Sequence, residues 1–333
     1  MSFTFLLCSE RSGSNLITSI MNGHKAVSGP PPSHLFRLFG LNAHGYHPLS
    51  DDANWDAFLR DLTEAQTWMI GEWESAPDRG AIDTACPKRT MACTFDYLYA
   101  QERRKGETIS FVKENYTYLI VPFLLSTWPD CRFVYQVRDP RDVAASWVKT
   151  RAVPGGVRRA MDVWVEDQRA SLDVFHQMQP SGRMIQVRYE DLIGNTEAVG
   201  RTLCTHMGIA YDPAMLNFHQ DQRTRRNAGR TQAWKNLARP VLSDNAQKYK
   251  TVLSDADLRY VELRCARFMR AFGYPLETDA DELSPEAAKA EAKALQSQLS
   301  PGEDAHPPSK REAEQRARRA QIIQRIVARS EAA

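Results

Sequence analysis

The stretch FTFLLCSERSGSN, residues 3–15, carries the clearest structural signal in this chain. Its apolar run from Phe3 to Cys8 is typical of a buried β-strand, and residues 9–14 have the small and polar side chains of a tight loop. Residues 15–22 continue with apolar side chains at helical spacing. The sequence therefore predicts a strand, a tight loop and a helix in direct succession.

A junction of this kind suits an anion such as a phosphate, because a helix N-terminus directs unpaired N–H groups and a positive dipole end toward the loop. Gly13 lets backbone approach the anion, and Arg11 adds a positive charge. The ATP- and GTP-binding pattern G-x-x-x-x-G-K-[ST] is absent, since the early Gly and the Lys are missing. These residues alone leave two interpretations open, a phosphate site and an ordinary first turn of an α/β domain.

A second junction of the same type follows later in the chain. The run RFVYQVR, residues 132–138, predicts a strand, and it leads directly into DPRDVAASW, residues 139–147. Asp139 suits the N-cap of a helix, and Pro140 suits its first position. Arg138 is thus predicted at the end of a strand, immediately before a helix N-terminus.

The alternation of strands and helices predicts an α/β fold with a mostly parallel central sheet and helices on both faces. Both arginine-bearing junctions then lie at the carboxyl ends of strands, where such sheets bind ligands. Residues 71–93 show no regular pattern and are predicted to be irregular. Further strands are predicted near residues 108–113 and 183–189, and helices near residues 55–69, 95–104, 118–127, 157–178, 199–207 and 244–272.

Composition narrows the class of protein. The 333 residues are 42% hydrophobic, which allows one large core or two modest ones, and the net charge of +2 argues against a dedicated nucleic-acid binder. No apolar run approaches the ~20 residues of a membrane span, and the first residues lack the features of a signal peptide. We therefore expect a cytoplasmic protein. The six cysteines lack paired C-x-x-C spacing, which predicts free thiols.

Residues 220–230, QDQRTRRNAGR, form a basic segment without an apolar pattern. One interpretation is a solvated surface loop, which is the usual role of a run of charges. The other is a flap that supplies guanidinium groups to a phosphate.

The composition changes at about residue 276, which predicts a domain at 1–275 and a helical, partly flexible C-terminal extension at 276–333. Two helices are expected there, one capped by Ser284 and one starting at Ser309 with the spacing of a capping box. We expect this arm to pack on the domain or on a partner chain, which would give a homodimer, and to lie outside the site. The second helix has a narrow apolar face made of Ile322, Ile323, Ile326 and Val327.

Four segments together resemble the sulfotransferases that use 3'-phosphoadenosine 5'-phosphosulfate (PAPS). CSERSGSNLI is similar to the 5'-phosphosulfate loop of that family, and VRDPRDVAAS is similar to its 3'-phosphate motif. VRYEDLI and YVELRCARFMRAFGY resemble further blocks, in the same order and at similar spacing. The resemblance covers about residues 1–275 and implies a P-loop NTPase-like sulfotransferase fold.

The resemblance also assigns residues to the donor. Its 3'-phosphate would be held by Arg138 and Ser146, and Arg226 and Arg230 resemble a late basic segment that closes over that phosphate. Tyr189 and Trp234 are candidates for stacking or packing, with packing favoured for Trp234. The 5' end would be held mostly by backbone N–H groups of Arg11, Ser12, Gly13, Ser14 and Asn15.

Two residues are candidates for catalysis. Lys113 stands where the resembling enzymes have a lysine that neutralises charge on the bridging oxygen, although here Glu114 and Asn115 follow in place of the family's proline. His34 follows a proline-rich turn where several relatives place a glutamate, and its usual pKa near 6.5 suits a general base. Each also has a plain interpretation, a surface lysine at a strand end and a polar contact in a loop. His44 and His47 lack a third ligand, so no metal is expected.

The predicted function is metal-free transfer of a sulfuryl group from PAPS to an acceptor hydroxyl, or less readily an amine. The alternatives are a nucleotide-dependent phosphotransferase, which would require Mg²⁺ and a loop lysine, and a non-catalytic nucleotide-binding scaffold. The acceptor stays open among small molecules, glycans and lipids. No nucleic-acid partner is expected.

Overall fold

A computed structural model describes residues 2–69, 71–149, 155–230, 232–302 and 310–332. Within them, five strands form one sheet in the order β2-β3-β1-β4-β5, and every neighbouring pair is parallel. This confirms the predicted α/β fold with a parallel central sheet. The strands are β1 (Ser2–Cys8), β2 (Val27–Ser28), β3 (Ile109–Lys113), β4 (Arg132–Val137) and β5 (Met184–Arg188).

The α-helices follow and connect these strands, as expected for parallel crossovers. They are α1 (Ser14–Asn22), α2 (Leu35–Leu41), α3 (Asp52–Thr67), α4 (Arg79–Ala85), α5 (Met91–Gln101), α6 (Val121–Thr127), α7 (Pro140–Val148), α8 (Gly156–Met178), α9 (Tyr189–Gly194), α10 (Thr196–Met207), α11 (Gln222–Ala228), α12 (Asp255–Ala271), α13 (Pro285–Leu295) and α14 (Lys310–Glu331).

The sheet is covered on both faces, because strand side chains alternate between two hydrophobic clusters. Phe3, Phe5 and Leu7 of β1 point into the larger cluster, which includes side chains from α2, α3, α5, α8 and α12. Leu6 and Cys8 point the other way and pack against side chains of α1 and α10. This confirms the prediction of helices on both faces and leaves the carboxyl edge of the sheet for the site.

Two segments differ from their predictions. Residues 71–93, expected to be irregular, contain α4, a seven-residue helix in which only Ile82 is buried. Its pattern was too short to show the period of a helix. Residues 220–230, expected to be a loop, contain α11, whose N-cap Asp221 accepts a hydrogen bond from the N–H of Thr224 at 3.0 Å. It shows no apolar period because three of its four buried residues, Arg223, Thr224 and Asn227, are polar.

The C-terminal helices pack against the rest of the chain. Ser284 caps α13 by accepting a hydrogen bond from the N–H of Ala287 at 3.2 Å, as predicted. Ile322 and Ile326 of α14 are fully buried in the larger hydrophobic cluster. The predicted capping box at Ser309 lies outside the described residues.

All six cysteines are free thiols, as predicted, and only Cys93 is not buried. No helix in the described part of the chain is both long enough and apolar enough to cross a bilayer.

Candidate active site

The first loop has a backbone shaped to receive a ligand. Arg11 (φ 65°) and Gly13 (φ 85°) both adopt the left-handed conformation that places successive N–H groups around one point. Gly13 is the N-cap of α1, and no side chain caps the helix. The hydroxyl of Ser12 is buried without a hydrogen-bond partner. This combination of free donors fits an anion at the N-terminus of α1.

Both the backbone angle at Gly13 and the close approach of the Tyr189 ring require a glycine at this position. A Cβ atom built on Gly13 would lie 2.3 Å from the ring of Tyr189, a distance that real contacts do not reach. Tyr189 begins α9 at the end of β5, so the loop after β1 and the end of β5 are in direct contact. Tyr189 thus lies against the first loop, and its stacking or packing role toward the adenosine stays a prediction.

Arg138 lies across the same tyrosine. Its guanidinium carbon is 4.3 Å from the centre of the Tyr189 ring, and its Nη1 donates to the carbonyl oxygen of Arg11 at 2.9 Å. Its Nη2 donates to the carbonyl oxygen of Asn245 at 3.2 Å, whereas its Nε is buried without a partner. The side chain is therefore held rigidly while one donor stays free.

The two strand-to-helix junctions meet through Arg11 and Ser146. The Nε of Arg11 donates to the hydroxyl of Ser146 in α7 at 3.1 Å. Burial, and next the positive charge of Arg138, lower the pKa of Arg11. Among the described residues no carboxylate forms an ion pair with either arginine, so positive charge accumulates there. The structure thus brings Arg11, Ser12, Gly13, Ser14, Arg138, Ser146 and Tyr189 to one edge of the sheet.

Asn245 was missed by the sequence analysis. Its side-chain amide donates to the Tyr189 hydroxyl at 2.6 Å, and its carbonyl accepts from Arg138. The surrounding segment is held to α7 by Asp142, whose carboxylate accepts from the N–H groups of Gln247 at 2.7 Å and Tyr249 at 3.1 Å. No local pattern marks Asn245, because its role depends on a contact 107 residues away in sequence.

A pocket opens on the other side of α1. Asn15 and Trp234 both border it, and Trp234 is buried there. Its packing or stacking role stays a prediction. The remaining lining residues are Thr18, Ser19, Asn22, Gly29, Pro31, Pro32, Arg223, Thr224, Asn227 and Leu237.

Arg226 and Arg230 differ in surroundings from Arg138. Arg226 pairs with Glu74 at 3.4 Å, and Arg230 pairs with Glu72. Both cations are thus neutralised by carboxylates of the segment between α3 and α4. Their role over a phosphate stays a prediction, and it would require these ion pairs to open.

His34 and Lys113 lie at the neighbouring strand end, where Glu114, directly after β3, binds the N-terminus of α2. Lys113 is the last residue of β3, pairs with Leu6 of β1, and donates to the Oδ1 of Asn115 at 2.8 Å. His34 is the left-handed N-cap of α2 (φ 60°), and its Nδ1 is buried without a partner. Burial lowers the pKa of His34 well below 6.5, and the charge of Lys113 lowers it further. Burial also lowers the pKa of Lys113. The charge of one predicted catalytic residue, Lys113, thus acts on the other, His34.

Glu114 is a second residue that sequence analysis passed over. Its buried carboxylate accepts from the N–H groups of Phe36 at 3.1 Å and Arg37 at 2.7 Å, so it caps the N-terminus of α2 from the end of β3. Burial raises the pKa of Glu114 to about 7. In the sequence, its position directly after a predicted strand indicates a residue near the site. The resemblance marks it only as a departure from the family's proline turn.

In the described parts of the chain, no three His, Cys, Asp or Glu side chains gather in a group that could hold a metal ion.

Comparison with known proteins identifies the family. Residues 4–213, which include both junctions, β2 to β5 and all of β1 except its first two residues, match the model described as "Sulfotransferase family". The chain belongs to this family. The match ends before Arg226, Arg230 and the C-terminal helices, so it does not bear on them. A search of curated proteins found no match.

Solved structures support the fold of the sulfotransferase. A sulfotransferase domain from the curacin biosynthetic pathway matches with a TM-score of 0.57 at 21% identity, over 82% of this chain and 98% of that one. A sulfotransferase domain from the olefin synthase of Synechococcus PCC 7002 also matches with a TM-score of 0.57, at 20% identity, over 83% of this chain and 96% of that one. At these identities the likeness concerns the fold.

Proposed function

We propose that this sulfotransferase uses PAPS as its donor and transfers a sulfuryl group to an acceptor hydroxyl, or less readily an amine, without a metal ion. The proposal rests mainly on the hydrogen bonds that join the two strand-to-helix junctions. Arg11 donates to Ser146, and Arg138 donates to the carbonyl oxygen of Arg11. Two guanidinium groups without a described carboxylate partner lie there beside the uncapped N-terminus of α1. A nucleotide with phosphate groups at both ends of its adenosine needs two linked anion sites of this kind.

The donor groups at this edge fit PAPS. The buried Ser12 hydroxyl and the Arg138 Nε lack hydrogen-bond partners, and a ligand oxygen could satisfy both. Arg11, Ser12, Gly13, Ser14 and Asn15 would hold the 5' end. Arg138 and Ser146 would hold the 3'-phosphate, with Arg226 and Arg230 as further predicted contacts. When bound, PAPS supplies the activated sulfuryl group.

His34 and Lys113 have the chemistry for the remaining steps. His34 has a lowered pKa, so it is neutral at neutral pH and can accept the acceptor's proton on a ring nitrogen. The ammonium of Lys113, where β3 pairs with β1, would stabilise the negative charge of the departing oxygen. Small-molecule, glycan and lipid acceptors are all compatible with this chemistry.

Calorimetric titration with the product nucleotide 3'-phosphoadenosine 5'-phosphate (PAP) tests the donor assignment. PAP should bind tightly with or without Mg²⁺, and ADP should bind much more weakly because it lacks the 3'-phosphate. A preference for ATP with Mg²⁺ would replace the proposal with a phosphotransferase. Tight PAP binding with turnover that is unchanged in His34→Gln and Lys113→Ala would reject their catalytic roles.

A further inference from the structure

The C-terminal helix α14 reaches the candidate active site. The Nη2 of Arg319 donates to the carbonyl oxygen of Ser33 at 3.3 Å, and Ser33 directly precedes His34. The helix is anchored further along by Arg325, which donates to Asp61 at 2.8 Å and to Glu64 at 2.5 Å. Arg319 is therefore a defined part of the edge that carries His34, although the tail was predicted to lie outside the site.

Arg37 of α2 contributes a second guanidinium to the same region. Its Nη1 donates to the carbonyl oxygen of Asn115 at 3.5 Å, and its Cζ lies 5.1 Å from the centre of the Tyr116 ring. The positive charges of Arg37 and Arg319 both act on His34 and lower its pKa. Both side chains are only partly buried, so a ligand in solution has access to them.

Arg37 and Arg319 have no carboxylate at ion-pair distance among the described residues. In the parts of the chain that the structure describes, neither forms an ion pair, whereas Arg325 on the same helix contacts two carboxylates. The charge of Glu114 acts on both arginines, but its carboxylate oxygens accept from the N–H groups of α2, and burial raises its pKa to about 7. Two partly buried guanidinium groups without a carboxylate at ion-pair distance can bind an anionic ligand.

We propose that Arg37 and Arg319 bind an oxoanion of the acceptor, a carboxylate or a phosphate, so that the enzyme selects hydroxyl acceptors that also carry a negative charge. Because the proposed function assigns Lys113 to the transferred group, these two guanidinium groups remain for the acceptor. The planar fork of an arginine matches the paired oxygens of either anion. This inference rests on the proposed function and extends it to the class of substrate.

The test compares acceptors that differ only in charge. A series of ω-hydroxy acids of increasing chain length, their methyl esters and the corresponding ω-hydroxyalkyl phosphates would be titrated into PAP-saturated protein. Binding would be followed by the NMR signal of His34, assigned by its loss in His34→Gln. The acids or the phosphates should bind more tightly than the esters at one or more chain lengths, and the preferred anion identifies the source of the charge.

Arg319→Gln should reduce that preference by about tenfold, the effect of one charge-assisted contact. Arg37→Gln should act similarly, which keeps the test valid if one variant folds poorly. Arg319→Lys should keep part of the preference because it keeps the charge. Arg318→Gln is the matched control, since Arg318 is exposed and lies over Trp68 at 6.0 Å.

Equal binding of anions and esters by the native protein, or an unchanged preference in both Arg→Gln variants, would overturn the inference. PAP affinity provides the separate readout for the proposed function. If the native protein does not bind PAP, the donor assignment fails. If it binds PAP equally in all variants while the anion preference is absent, only the acceptor inference fails.

Discussion

Tyr189 contacts several of the residues at the two strand-to-helix junctions. Gly13 packs against one part of it, and the Arg138 guanidinium lies 4.3 Å from its centre. Its hydroxyl accepts from Asn245 at 2.6 Å. Residues from three separate segments therefore depend on one aromatic side chain, and each can be tested by a single substitution.

Replacement of Gly13 by alanine should disturb the loop in two ways. The left-handed backbone (φ 85°) disfavours a Cβ, and that Cβ would meet the Tyr189 ring at 2.3 Å. Gly208→Ala is the matched control, because Gly208 also has a positive φ (72°) but has open space around it. We expect a loss of about 1 kcal/mol in unfolding free energy for the control and a larger loss for Gly13→Ala, with weaker PAP binding only in the latter. Equal losses in urea unfolding would contradict the contact with Tyr189.

Arg138→Ala should weaken PAP binding by about 1.5 to 3 kcal/mol, the range for a charge-assisted hydrogen bond. Arg201→Ala provides the control, since Arg201 also lies over a tyrosine, at 4.2 Å from the Tyr211 ring, but far along α10 on the exposed surface. Calorimetry on both variants measures the difference. Unchanged PAP affinity in Arg138→Ala would refute the 3'-phosphate assignment.

The pH dependence of turnover should reflect the protonation of His34. A base must be unprotonated, so kcat/KM should fall as the pH drops through the pKa of His34, and that pKa lies well below 6.5. Activity should thus stay constant from neutral pH to below pH 6.5. His34→Gln should reduce kcat and remove the acid limb while PAP affinity stays nearly the same. An acid limb that survives in His34→Gln would assign the base elsewhere.

Helix α2 is capped by a residue distant in sequence and not by its own N-cap side chain. Its N-cap His34 makes no side-chain capping bond, and the cap comes from Glu114 at the end of β3. Other helix ends follow local rules, as with Asp139 before α7 and Ser284 before α13. The junction after β4 was predictable for that reason, whereas the start of α2 was not.

Glu114 should make stability depend on pH in a specific direction. Its folded pKa is raised to about 7 from an ordinary 4.5, so the folded state binds its proton more tightly. Stability from this group is therefore present below pH 4.5 and declines as the pH rises through 7. Glu114→Gln should reduce that decline by up to about 3 kcal/mol, since one pKa unit corresponds to about 1.4 kcal/mol.

Urea unfolding of Glu114→Gln and native protein between pH 5 and pH 8 measures this effect. Burial also raises the pKa of Asp167 to about 7. Asp167 should therefore contribute a decline in stability with rising pH in both proteins. Identical slopes for the two proteins would show that Glu114 is ionised in the folded state throughout that range.

At the scale of the whole molecule, α14 contacts both the hydrophobic core and the candidate active site. Ile322 and Ile326 pack in the larger hydrophobic cluster, and Arg319 contacts the residue before His34. The apolar face that was predicted to meet the domain or a partner is thus covered within the chain at these two positions. A homodimer through the C-terminal helices stays a prediction, and it would have to use other surfaces of them.

Ile326→Ala should lower the unfolding free energy by about 2 to 4 kcal/mol, because it removes buried methyl groups and leaves a cavity. Val327→Ala, one residue later and 36% exposed, is the control and should change stability by less than about 0.5 kcal/mol. Thermal or urea unfolding of both variants measures the difference. A small effect for Ile326→Ala would mean that α14 does not contribute to the core.

The sequence by itself determined the order of the strands and helices at the two arginine-bearing junctions, because strand periodicity, capping residues and loop composition act over short distances. It also determined the free thiols and, through motif order, the family. Only the tertiary structure placed Asn245 on Tyr189, Glu114 on Arg37 at the start of α2, and Arg319 on Ser33, the residue before His34. These pairs are separated by 56, 77 and 286 residues in sequence, and their contact depends on the closing of the whole fold.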